Sequence, residues 1–77
     1  MIIIEKADVE FINKNIPNPQ RIINAPSVRD ALLSLADFIE TSQECWDSSG
    51  RFYSRLGNQV QRVYDNIRIS NGLVEPA

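Results

Sequence analysis

The feature that most constrains the fold of this chain is a pair of apolar runs separated by a polar tetrapeptide, Asp-Ser-Ser-Gly, at residues 47–50. The apolar residues are Val28, Leu32, Leu35, Ile39 and Trp46 in the first run, and Leu56, Val60, Val63 and Ile67 in the second. Steps of three and four residues keep each set on one face of a helix. Their mean spacing of about 3.5 residues is also typical of helices packed side by side. The sequence therefore predicts an all-α fold based on an antiparallel two-helix hairpin over residues 27–72.

The ends of the two predicted helices are marked by capping residues. Ser27 follows a proline and can bond the first free backbone N–H groups, and Asp30 lies three residues later, as in a capping box. The first helix is expected to extend through Trp46, and the second to begin near residues 48–49. It is expected to end at Gly72, because glycine readily takes the left-handed conformation that closes a helix.

Several side chains flank the two apolar faces. Phe52 and Tyr64 are expected to face inward with the second run, whereas Leu33 and Ile69 fall on the outer faces and are expected to be exposed. Cys45 lies beside the first apolar face. A reactive thiol needs a neighbouring base or cation, and the chain has no histidine, so this cysteine is predicted to be a packing residue. The alternative is an intermolecular disulfide in a dimer.

The start of the chain is predicted to contain a short strand and a short helix. Residues 1–6 include three consecutive isoleucines, which favour extended backbone; a disordered start is the alternative. Such a strand has no partner in its own chain and would pair with a second copy or with another protein. Asp8 can cap a helix over residues 9–16, although Val9 and Phe11 also fit the alternation of a strand.

Residues 17–26, here called the strap, connect this region to the hairpin. The strap contains three prolines, and Pro17 disfavours helical backbone in the residue before it. Ile22 and Ile23 make it too apolar for a free linker, so it is predicted to lie across the hairpin with both isoleucines buried. Residues 73–77 are expected to form a loose tail.

The length of the chain limits how stable its core can be. Its 77 residues are expected to form one domain, and a core of this size rarely supplies more than about 3–5 kcal/mol. One cysteine and no histidine leave no intramolecular disulfide and no zinc site as reinforcement. Formation of a homodimer or docking on another protein is therefore expected. The alternative is that the strap and the short helix cover the hairpin within one chain.

Charge and hydropathy argue for a soluble protein. The formal net charge of −2 gives no broad attraction to nucleic acid or to anionic lipid. No apolar stretch approaches the roughly 18–20 residues that span a bilayer, and no basic region precedes the first isoleucines as in a signal peptide. The expectation is a cytoplasmic protein without contact with a membrane.

Three arginines form the candidate binding site. Arg51, Arg55 and Arg62 are predicted to share the outer face of the second helix, and arginine makes bidentate bonds to phosphate or carboxylate. They could bind an acidic protein or a nucleic-acid backbone. The alternative is a solvated face on which Asp65 pairs with Arg62 three residues away.

The acidic residues of the first helix offer no comparable chemistry. These residues are Asp30, Asp37, Glu40 and Glu44, and they are predicted to lie on its solvated outer face. Carboxylates seven residues apart on a helix are about 10 Å apart along its axis, which is too far to share one ion. No cofactor, metal or catalytic residue is predicted, and the chain is not expected to be an enzyme.

The function expected from these features is that of a small protein-interaction module. It would bind a larger protein through its helical hairpin and regulate or inhibit that protein. The alternative is a small nucleic-acid-associated regulator that uses the Arg51, Arg55 and Arg62 face.

Overall fold

The computed structural model describes residues 2–73 and is all-α in that part of the chain. Its helices are α1 (Lys6–Asn15), α2 (Gln20–Ile23), α3 (Val28–Thr41) and α4 (Arg55–Ser70), with a 3₁₀ turn at Gln43–Cys45. Helix α2 packs on α3, α3 packs on α4, and the 3₁₀ turn packs on both long helices. None of the helices in residues 2–73 is long and apolar enough to cross a membrane.

Helix α3 begins as the sequence predicts but ends earlier. The Ser27 hydroxyl accepts the Asp30 backbone N–H at 3.1 Å, which confirms the predicted cap. The helix ends at Thr41, so the prediction that it extends through Trp46 is wrong. The Thr41 hydroxyl donates to the Asp37 carbonyl at 2.8 Å, and Ser42 is extended. Hydroxyl side chains compete with the backbone in this way, and the run Thr-Ser-Gln at residues 41–43 supplies no apolar residue to continue the buried face.

Helix α4 begins at Arg55, several residues later than predicted. Ser54 is its N-cap: the Ser54 hydroxyl accepts the Gly57 N–H at 3.2 Å and donates to the carbonyl of Glu44. The residues between the helices form a hairpin-like loop in which the Asp47 N–H bonds the Phe52 carbonyl at 2.9 Å. This loop replaces the predicted start of the second helix. It also places Phe52 outside, 69% exposed, where the sequence predicted an inward residue.

The turn at the tip of this loop follows from its sequence. The Gly50 N–H bonds the Asp47 carbonyl at 3.0 Å, and Gly50 has φ = +72°. Asp at the first position and Gly at the fourth are typical of a β-turn, and a positive φ favours glycine. The Asp47 carboxylate also accepts the Ser49 N–H at 3.0 Å and its hydroxyl at 2.6 Å. The turn is therefore held by both backbone and side-chain bonds.

The buried core is drawn from every helix of the described chain. It consists of Ile12, Ile16, Ile22, Ala31, Leu32, Leu35, Ile39, Cys45, Val60, Val63 and Ile67. Within the strap Ile22 is buried, as predicted, whereas Ile23 is only half-buried. The strap also contains the short helix α2, where the sequence predicted a loop. These isoleucines cover α3 within one chain. The homodimer stays a prediction. The apolar surface of α3 that these isoleucines cover needs no second copy of the chain to bury it.

The strap covers one flank of α3 and leaves the other open. Ser34 and Phe38 share a groove with Ile16 and Ile22. Ala36 and Glu40 lie on the opposite flank of the buried positions 35 and 39, since each residue advances about 100° around a helix. Helix α1 contacts α4 where the Asn66 amide donates to the Asp8 carboxylate at 3.3 Å.

The predicted N-terminal strand does not form in residues 2–5. These residues have no regular structure, and α1 begins at Lys6 rather than after Asp8. Asp8 is buried in the first turn of α1 instead of capping it. A strand needs a partner for its N–H and C=O groups. Here the Asn71 side chain bonds both the N–H and the carbonyl of Ile3.

The end of α4 agrees with the sequence. The helix ends at Ser70, and Gly72 has φ = +76°. Leu33 and Ile69 are exposed, as predicted. Of the predicted tail over residues 73–77, residues 74–77 lie outside the described part of the chain.

Candidate functional site

The predicted arginine site is only partly assembled. Arg55 is the first residue of α4 and Arg62 lies two turns further along, and both are exposed. Together with Asn58 and Gln59 they line one shallow groove of about 280 Å³. Arg51 belongs to the loop before α4, so the prediction of three arginines on one helix face is wrong.

The local ion pair also differs from the prediction. Asp65 pairs with Arg68, with 3.9 Å between Oδ1 and the guanidinium, and not with Arg62. Both partners are substantially solvated, and such pairs contribute little to stability. This is the only ion pair among residues 2–73. No acidic side chain in residues 2–73 pairs with Arg55 or Arg62, so both can bind an external anion.

A second surface lies between α3 and α4, on the flank that the strap leaves open. We call it the aromatic trough, a depression of about 340 Å³ lined by Ala36, Ile39, Glu40, Trp46, Tyr53, Gln61 and Tyr64. Its three aromatic residues are all half-buried, and Glu40 is exposed. The trough combines apolar rings with one carboxylate and one amide.

Hydrogen bonds hold two of the three rings of the trough in place. The Trp46 indole N–H donates to the Ile39 carbonyl at 2.8 Å, which anchors the loop to the end of α3. The Tyr53 hydroxyl donates to Gln61 Oε1 at 3.1 Å, and Gln61 Nε2 donates to Asp65 at 3.2 Å. The rings of Trp46 and Tyr53 lie 5.0 Å apart at 47°, a favourable tilted arrangement. Side chains fixed in this way lose little conformational freedom when a ligand binds.

The loop that carries Trp46 and Tyr53 also exposes Phe52. An isolated antiparallel bridge joins Trp46 and Tyr53, and Phe52 lies next to it, 69% exposed. Phe52 does not line the trough, but it directly precedes Tyr53 in the chain and adds an exposed aromatic side chain to the same loop.

The acidic residues lie at the surface, as predicted. Asp30, Asp37 and Glu40 are exposed on α3, whereas Glu44 lies in the 3₁₀ turn. In residues 2–73 no three acidic or cysteine side chains lie close enough to hold a metal ion. Glu40 differs from the others because it borders the aromatic trough.

Cys45 is fully buried in the core, in line with its predicted packing role. Burial raises the pKa of its thiol, and the nearby Glu44 carboxylate acts in the same direction, against a hydrogen bond with Ser42. A raised pKa disfavours the thiolate, which is the nucleophilic form.

Sequence reasoning misses the trough because it begins the second helix near residues 48–49, where the structure has a loop that extends to Ser54. It places Trp46 and Tyr64 near the core and gives Tyr53 no role. Aromatic residues on both sides of Asp-Ser-Ser-Gly, at Trp46 and Tyr53, are the signal that could have revealed a hairpin-like loop.

Comparison of this chain with protein-family models, with curated proteins and with solved structures finds no match in any of the three.

Proposed function

We propose that this protein is a small protein-interaction module that binds a larger protein through the surface between α3 and α4 and regulates or inhibits it. The observation that carries the proposal is the aromatic trough, with its hydrogen-bonded Trp46 and Tyr53 rings and the exposed Phe52 next to Tyr53 in the chain. Tryptophan and tyrosine are enriched among the residues that dominate binding energy in protein interfaces.

The position of the trough supports this proposal. The strap and α1 bury one flank of the α3–α4 pair with isoleucines, while the other flank keeps three half-buried aromatic rings at the surface. Aromatic residues that served only to fill the core would instead lie beneath the strap and α1. A partner that buried Tyr64 and Phe52 would remove further apolar area from water, which favours association.

The nucleic-acid alternative has a narrower basis. With Arg51 in the loop, α4 presents Arg55 and Arg62 beside Asn58 and Gln59. Two arginines neutralise two phosphates, and each neutralised phosphate contributes one increment of salt-dependent affinity. The arginine pair is therefore kept as the binding site of the nucleic-acid alternative and not as part of the proposed protein interface.

Site-specific cross-linking tests the proposal. A photoreactive phenylalanine analogue replaces Phe52, which is exposed and aromatic, in the full chain expressed in its native cell. A matched variant carries the same analogue at Asn58, which is exposed on the arginine side of α4. We expect a defined protein adduct from position 52 and not from position 58.

Two further arms make this experiment decisive. Adding Tyr64→Ala to the Phe52 variant should reduce the adduct, whereas Gln59→Ala should not, because Gln59 lies outside the trough. The identified protein is then titrated with the unmodified chain. Adducts to nucleic acid from position 58, with none from position 52, would replace the proposed function by its alternative.

A further inference from the structure

We propose that the aromatic trough accepts a cationic side chain, lysine or arginine, from the partner protein. The inference rests on the proposed function and specifies the chemistry of the partner at this site. Three aromatic residues and one carboxylate line the trough, and this is the combination that recognises organic cations.

The aromatic residues supply the first part of the argument. The faces of Trp46, Tyr53 and Tyr64 carry the negative part of the ring quadrupole. A cation within about 6 Å of a ring centroid is attracted by this quadrupole, most strongly by tryptophan. The 47° tilt between Trp46 and Tyr53 means that their faces are not parallel, so the two rings form a corner.

The polar groups of the trough favour a cation over an anion. The Trp46 N–H and the Tyr53 hydroxyl already donate to protein acceptors, and the Gln61 amide donates to Asp65. An anionic group would find the Trp46 and Tyr53 donors engaged. A cation would find the Glu40 carboxylate, which makes no ion pair within residues 2–73.

The surroundings have the matching charge and the trough has a suitable size. Glu44 lies two residues before Trp46 and Asp47 directly follows it, and both are exposed. Their negative charges attract a basic segment from a distance. Arg21 lines a neighbouring depression together with Glu40 but forms no ion pair with it. The volume of about 340 Å³ is at the small end of the range for ligand pockets, which suits one extended side chain rather than a whole helix.

Peptide titration tests the inference without knowledge of the partner. The probes are three acetylated, amidated tripeptides with central lysine, arginine or norleucine between glycines. Norleucine keeps an unbranched alkyl chain and lacks the charge. Binding is followed by the NMR signal of the Trp46 indole N–H. We expect the lysine and arginine peptides to bind about tenfold more tightly than the norleucine peptide, and less tightly as salt is added.

A pair of charge variants identifies the carboxylate. Glu40→Gln should weaken binding of the cationic peptides about fivefold, and Asp37→Asn should change it less than about twofold. Both residues are exposed on α3, but only Glu40 borders the trough. Neither substitution removes a core contact, so both variants should fold.

Other outcomes would overturn the inference in distinguishable ways. Equal binding of the norleucine peptide would assign the trough to an apolar side chain and leave the proposed function intact. No shift of the Trp46 signal with any peptide would exclude a cation there. A solution mass of twice 8.8 kDa that falls to 8.8 kDa in Tyr64→Ala would assign the trough to a second copy of the chain.

Discussion

The side chain of Asn71 holds the backbone of Ile3 as a neighbouring strand would. Asn71 Oδ1 accepts the Ile3 N–H at 2.9 Å, and Asn71 Nδ2 donates to the Ile3 carbonyl at 2.8 Å. The same Nδ2 donates to the Ile67 carbonyl at 2.8 Å, near the end of α4. One amide therefore closes a helix and fixes the start of the chain against it.

Replacing Asn71 by Asp should release the N-terminal segment. The carboxylate keeps an acceptor but loses both donors, and it places negative charge beside two carbonyl oxygens. We expect hydrogen exchange of the Ile3 amide to accelerate about fivefold, because the bond to the Ile3 carbonyl, worth about 1 kcal/mol, is lost. Asn58→Asp makes the same chemical change at an exposed position of α4 and should leave that amide unaffected. Unchanged protection of Ile3 in Asn71→Asp would contradict the assigned contact.

Gly57 is required by the close approach of α4 to the 3₁₀ turn. A Cβ at this position would lie 2.0 Å from the Cys45 carbonyl oxygen and 3.0 Å from Tyr53 Cβ. Backbone must then move, so Gly57→Ala should lower the free energy of unfolding by about 1–3 kcal/mol. In an open helix position the same exchange would stabilise by up to about 1 kcal/mol.

Chemical denaturation measures this effect. Gln59→Ala, at an exposed position of α4, serves as the control and should change stability by no more than about 0.5 kcal/mol. Gly57→Ala with wild-type or higher stability would show that α4 does not lie against Cys45 in this way.

Two leucines of α3 should respond very differently to truncation. Leu35 is fully buried and Leu33 is 56% exposed, although they are two residues apart. Leu35→Ala should cost about 2–5 kcal/mol because it leaves a cavity, which is enough to unfold a domain of this size. Leu33→Ala should cost no more than about 0.5 kcal/mol. Thermal melts followed by circular dichroism compare them, and equal melting temperatures would refute the assigned core face.

The turn after Trp46 should respond to acid through Asp47. Hydrogen bonds from Ser49, chiefly its side chain, lower the pKa of this carboxyl from its ordinary value of 3.8. A carboxyl with a lowered folded-state pKa contributes stability that is present above the unfolded pKa. That stability is lost as pH falls through the folded pKa. The turn should therefore be intact above pH 3.8 and loosen below it.

NMR titration of the Asp47 carboxyl carbon and the Ser49 amide measures this pH dependence. Both signals should titrate together with a midpoint below 3.8, and Ser49→Ala should raise the Asp47 midpoint. Asp47→Asn keeps an acceptor without a titrating group and should abolish the response of Ser49. A wild-type midpoint at or above 3.8 would show that these bonds do not favour the carboxylate.

The sequence by itself determined the features that depend on near neighbours. Apolar spacing predicted the all-α class, and it separated buried Leu35 from exposed Leu33 and Ile69. The Ser27 cap and the end of α4 at Gly72 were predictable because capping involves residues only a few positions apart.

Only the tertiary structure decided the features that depend on distant contacts. Asn71 reaches Ile3 across 68 positions, and Asn66 reaches Asp8 across 58, so no local pattern encodes either pair. The loop between α3 and α4 forms because Trp46 bonds the end of α3 while Ser54 bonds the 3₁₀ turn. Those contacts exist only when both helices are packed, and they override the predicted start of the second helix near residues 48–49. The aromatic trough, and the separation of Arg51 from Arg55 and Arg62, follow from that override.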